Sequence, residues 1–67
     1  MTDFDGPARM TGTRAELVAE LRRLAVGWDH LGKPALATAA NEGADELACG
    51  EWSSIQVGYT EYVVTGE

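Results

Sequence analysis

The stretch Ser53-Ser54-Ile55-Gln56-Val57-Gly58-Tyr59-Thr60-Glu61-Tyr62-Val63-Val64-Thr65 changes the parity of its apolar residues halfway along. Ile55 and Val57 occupy odd positions and Tyr62 and Val64 even ones, so one uninterrupted strand would send them to opposite faces. A two-residue turn at Gly58-Tyr59 removes the conflict. It pairs Val57 with Thr60, Ile55 with Tyr62 and Ser53 with Val64, and a glycine in the first turn position suits a type II′ hairpin. One face then carries Ile55, Val57, Tyr62 and Val64 and packs on the rest of the chain. Trp52, Ser54, Gln56, Glu61, Val63 and Thr65 form the other.

Upstream of the hairpin the period is helical. Thr13 followed by Glu16 fits a capping box, in which each side chain satisfies an otherwise unpaired backbone N–H. Leu17, Leu21, Leu24, Trp28 and Leu31 recur at spacings of four and three, which predicts a helix over 14–31 with one apolar face. Gly32 and Pro34 supply its stop. Gly27 costs about 1 kcal/mol of helix propensity and leaves an earlier end open, and Asp29 and Lys33 pair across one turn only in the longer version. Pro34 suits the first turn of a second helix over 34–49, propagated by Ala35-Leu36-Ala37-Thr38-Ala39-Ala40 and stopped by Gly50. Leu36, Ala40, Gly43 and Leu47 share a face whose small residues permit close approach to the first helix. Asn41-Glu42-Gly43 either continues this helix or divides it.

The predicted fold class is α+β: two helices followed by a two-stranded antiparallel hairpin (ααββ). Residues 1–12 hold Gly6, Pro7 and Gly12 without sustained periodicity and read as a flexible N-terminal arm, with Phe4 and Met10 as candidates for docking. Residues 13–67 form the single small domain.

A chain of 67 residues has a thin core, since one this short buries only about 60% of the surface it exposes when unfolded. Its 45% hydrophobic content is nevertheless too high for a segment that stays disordered. No apolar run approaches the roughly 20 residues that cross a bilayer. Met1-Thr2-Asp3-Phe4-Asp5 lacks the basic start and apolar stretch of a secretory signal, so a cytoplasmic protein is expected. The single cysteine, Cys49, has no internal partner for a disulfide and reads as a small buried residue.

Charge is unevenly spread. All five basic residues, Arg9, Arg14, Arg22, Arg23 and Lys33, precede Pro34 and balance Asp3, Asp5, Glu16, Glu20 and Asp29. From Pro34 onward come Glu42, Asp45, Glu46, Glu51, Glu61 and Glu67 with no lysine or arginine, so this half carries the whole net charge of −6. Such a surface opposes direct nucleic-acid or membrane binding and steers the chain toward a basic protein surface. The plainer reading is that acidity keeps a small protein soluble.

His30, Asp29, Ser53 and Ser54 have the residue types of a hydrolase triad without any positioning motif, and one His and one Cys do not make a transition-metal site. Glu42, Asp45 and Glu46 lack the alternation and glycine of a calcium loop. The expectation is a non-enzyme without cofactor or metal. The partner-binding candidates are instead Glu42, Asp45 and Glu46, which are neighbours at helical spacing near the negative end of a helix dipole, together with Glu51, Trp52 and Glu61. A solvated helix face is the ordinary explanation of such a run. Trp52 is either an interface anchor on the outer hairpin face or peripheral core folded over a helix end.

In these features, the base-free segment from Pro34 to Glu67 and the cluster Glu42, Asp45, Glu46, the chain resembles the small acidic phage-encoded inhibitors of host defence, anti-CRISPR proteins among them. The resemblance implies a stand-alone, non-enzymatic protein that occupies a nucleic-acid-binding surface of a defence complex such as a CRISPR-Cas assembly. Two other classes stand beside it. One is a structural or regulatory module, antitoxin-like or a phage accessory protein, that forms a homodimer through the hairpin edge. The other is an enzyme subunit whose site a partner chain completes.

Overall fold

The computed structural model describes residues 8–66. Its elements run β1 (Ala8–Gly12), α1 (Arg14–His30), α2 (Pro34–Ala48), β2 (Ser54–Val57) and β3 (Thr60–Val64). The class is α+β, but the expected two-stranded hairpin is a three-stranded mixed sheet in the order β1-β3-β2. β2 and β3 pair antiparallel in the predicted register, Val57 opposite Thr60 and Ile55 opposite Tyr62. Gly58 has φ 62° and no non-glycine residue among those described has positive φ, so the turn is of the II′ kind, with positive φ at its first position only.

The additional strand comes from the segment read as an arm. Ala8 to Gly12 lie parallel to Thr60 to Val64, Met10 beside Tyr62, and the Thr65 N–H donates to the Gly12 carbonyl at 2.9 Å. Only Met10 is a large apolar residue here, so composition alone does not signal a strand. The pairing arises because β3 has two sides: a lone hairpin is marginal in water, and a third strand satisfies the backbone groups that β3 would otherwise leave open. The rest of the expected arm, including Phe4, lies outside the described residues.

Both helices end close to where the sequence places them. The Thr13–Glu16 capping box is formed, with Glu16 N–H donating to Thr13 Oγ1 at 3.1 Å and Thr13 N–H to Glu16 Oε1 at 3.0 Å. α1 continues through Gly27 to His30 and closes in a Schellman turn: Lys33 N–H donates to the Trp28 carbonyl at 2.9 Å, Gly32 N–H to Asp29 at 3.1 Å, and Gly32 takes φ 76°. Leu31 is therefore a cap residue beyond the last turn and is 68% exposed, so the predicted apolar stripe stops at Trp28. The same turn leaves no Asp29–Lys33 ion pair among the described residues. α2 is continuous across Asn41-Glu42-Gly43. Cys49, expected inside, is its exposed C-cap, and the Sγ–H donates to the Glu46 carbonyl at 3.0 Å.

Leu17, Leu21 and Leu47 are the largest fully buried side chains, joined by Ala25, Ala37, Ala40, Ala44 and Tyr62. Met10, Leu24, Trp28, Ile55, Val57 and Val64 pack around them half-buried. The alanines let α1 and α2 lie close. Gly43 does something else: a Cβ there would sit 2.7 Å from Ile55 Cδ1 and 2.8 Å from Val57 Cγ2, against 3.8 Å from the nearest atom of Leu21. The small residue expected to admit α1 thus admits the sheet. Leu36 shares a cleft with Val57 and Gly58, while the Leu47 carbonyl and the Trp52 carbonyl bind one arginine, so α2 runs antiparallel along β2.

Three outcomes are expected in chemical unfolding. Leu21→Ala costs about 2–5 kcal/mol, a large part of the stability of so small a domain. Gly43→Leu destabilises by about 1–3 kcal/mol through overpacking, whereas Gly27→Ala, with nothing within 4 Å of its new methyl group, stabilises by about 0.5–1 kcal/mol. Stability also falls at alkaline pH. Burial holds the Tyr62 phenol above its ordinary pKa of about 10, Glu20 adds to the rise and Thr60 opposes it. Below about pH 10 the phenol is protonated folded and unfolded, and its contribution is intact. Above that the unfolded chain ionises first, so stability drops as pH climbs toward the folded-state pKa. Urea titrations at successive pH values should show this drop in the parent and not in Tyr62→Phe.

Candidate acidic binding surface

The three carboxylates of the predicted cluster leave α2 in two directions. Asp45 reaches across to α1, where Arg22 Nη2 donates to its Oδ1 at 2.8 Å and Arg22 Nη1 to Asn41 Oδ1 at 3.4 Å. Glu42 and Glu46, one turn apart, lean the other way and line a hollow of about 180 Å³ with Gly43, Ile55, Gln56 and Val57. No β3 residue borders that hollow, so it lies at the outer edge of β2. Neither Glu42 nor Glu46 has an ion-pair partner among the described residues.

Glu61 stands apart from both. Its position in β3 falls on the sheet face turned away from the helices, in a row with Arg9 and Gln56. Arg9 Nη2 lies 3.1 Å from Glu61 Oε1, and Arg9 Nε donates to the same oxygen at 3.1 Å. These exposed pairs contribute at most about 1 kcal/mol each to stability, but they cancel charge where they stand. Two of the five predicted carboxylates are therefore neutralised by bases from the front half, which the distribution of charge along the chain conceals.

Glu51 and Trp52 lie on the connection from α2 to β2, both exposed, Trp52 to 54%. Their backbone is held by a residue that sequence reading passed over. Arg14 Nη1 donates to the Leu47 carbonyl and to the Trp52 carbonyl, each at 2.7 Å. A guanidinium at the end of α2 satisfies a helix-terminal carbonyl, opposes the negative dipole end that burdens Glu46, and pins the start of β2. A basic residue at the first helical position of α1, where cations are disfavoured, was the available signal.

The remaining candidates separate. Ser53 and Ser54 lie at the Arg14 end of α1 and His30 at its other end, roughly 24 Å away at 1.5 Å per residue. No group of three or more His, Cys, Asp or Glu side chains that could hold a metal occurs among the described residues. No helix among them is long and apolar enough to cross a membrane. At the hairpin tip, Trp28, Tyr59, Thr60 and Tyr62 line an apolar cleft of about 340 Å³ with Tyr59 88% exposed. It lacks the convergent polar groups that orient a small ligand. Comparison with protein-family models, with curated proteins and with solved structures finds no match for this chain.

Proposed function

We propose that this chain is a non-enzymatic binding protein whose acidic side occupies a basic, nucleic-acid-binding surface of a partner protein, of the kind a host defence complex such as a CRISPR-Cas assembly presents. The observation that carries the reading is the exposure of Glu42, Glu46 and Glu51 without ion-pair partners among the described residues, beside an exposed Trp52. Unpaired carboxylates keep their field for an incoming cation, whereas Asp45 and Glu61 have spent theirs within the fold. Long-range attraction raises the association rate, and a desolvated Trp52 slows dissociation.

A second reading, a self-associating structural or regulatory module, is favoured by the two sheet edges, on β1 and β2, that no strand among the described residues covers. At β2 the row Glu42, Glu46 opposes it through like-charge repulsion.

The test is capture of basic proteins from nuclease-treated host lysate on the immobilised chain at low and high salt. Capture should weaken steeply with salt and be competed by added DNA. The variant Glu42→Gln with Glu46→Gln and Glu51→Gln should fold normally and associate at least tenfold more slowly with a captured protein. Asp45→Asn should change association little and cost up to about 1 kcal/mol of stability through loss of the Arg22 pair. Undiminished binding by the triple variant would leave the acidity a matter of solubility alone.

A further inference from the structure

The free edge of β2 and the carboxylates of α2 form one composite surface. Val64 N–H donates to the Ser53 carbonyl at 2.8 Å, and Val57 and Thr60 close the two-residue turn. In an antiparallel ladder the residues that bond the neighbour alternate with those that face away. Ser53, Ile55 and Val57 therefore turn their backbone groups to β3, and Ser54 and Gln56 turn theirs outward, where no strand among the described residues covers them. Gly43 seats α2 so closely on Ile55 and Val57 that Glu42 and Glu46 stand directly above this edge.

We propose that the β2 edge receives an extended basic segment of a partner protein as a fourth strand, bonded to the backbone of Ser54 and Gln56 with alternate lysine or arginine side chains under Glu46 and Glu42. The inference rests on the acidic-surface reading and specifies what that surface recognises. Charge selects the occupant, and spacing selects its pattern. Side chains two apart on one face of a strand are separated by about 6.8 Å, and carboxylates four apart on a helix by about 6 Å along its axis, so a basic residue at every second position meets both glutamates. A second copy of this chain fits poorly. Antiparallel pairing of two β2 edges about a dyad puts both α2 helices on one side and sets Glu42 and Glu46 of each copy against those of the other.

The test uses labelled heptapeptides. One alternates lysine and threonine; a second holds the same residues with the lysines in one block; a third is the alternating peptide with alternate backbone nitrogens methylated. Fluorescence anisotropy should show the alternating peptide binding at least tenfold more tightly than either control. In NMR hydrogen exchange it should protect the Ser54 and Gln56 amides, which should exchange freely in the unbound chain. Glu42→Gln with Glu46→Gln should remove binding, and Gln56→Pro, checked for an intact fold by its remaining amide spectrum, should do the same. Equal binding of all three peptides with no protection at Ser54 and Gln56 would overturn the edge inference while leaving the acidic surface standing. Binding of none, in a chain that still captures basic proteins in a DNA-competed manner, would overturn it likewise. Protection of Ser54 and Gln56 without peptide, in a sedimenting dimer, would make the occupant a second copy and overturn it too.

Discussion

The absence of a side chain at Gly43 governs the arrangement. A methyl group there would meet the Ile55 and Val57 side chains at distances that real Cβ atoms do not tolerate, so the bare helix backbone at Gly43 packs directly on the side chains of β2. That close packing goes with the burial of Leu47 at the other end of the same helix face. The standing of Glu42 and Glu46 over the strand edge follows as well. A larger residue would lift the helix, open the thin core between Leu17, Leu21 and Tyr62, and carry the carboxylates away from the edge. The packing of α2 and the placement of these two carboxylates therefore depend on one contact.

Much of this was legible locally. The capping box at Thr13, the Gly32 stop, the run to Ala48 and the parity switch around Gly58 are all signals confined to a few residues, and each appears where its chemistry places it. Two features were not legible for a shared reason. β1 is a strand because of β3, some fifty residues away, and Gly43 is small because of β2 rather than α1. Pairing across that distance leaves almost no composition signal when the strand holds a single large apolar residue. A glycine on an apolar helix face does not declare which neighbour approaches it.

Charge offers the same lesson on the surface. The sequence divides into a mixed half and a base-free half, yet folding returns Arg9, Arg14 and Arg22 to the acidic half at Glu61, at the Leu47 and Trp52 carbonyls, and at Asp45. What remains is narrower than the run of acids suggested and better defined. Among the described residues Glu42 and Glu46 survive as an unpaired row because their side of α2 meets a strand, which brings no lysine or arginine, instead of α1, which brings Arg22. The identity of the element packed beside each carboxylate decides which acids keep their field.

An open strand edge is a hazard for any small sheet, since its backbone groups accept another strand without regard to sequence. Here the edge of β2 is short, with Ser54 and Gln56 as its outward residues, and it carries a like-charged row that discourages pairing with itself. The arrangement that suppresses self-association is the same one that would admit a basic strand, because repulsion between two copies and attraction to a cation arise from the same two carboxylates. Backbone bonding at two residues is weak by itself, and electrostatics without backbone bonding lacks orientation. With Glu42 and Glu46 held one turn apart over the edge, the two terms would act on the same guest, and specificity would rest on their coincidence.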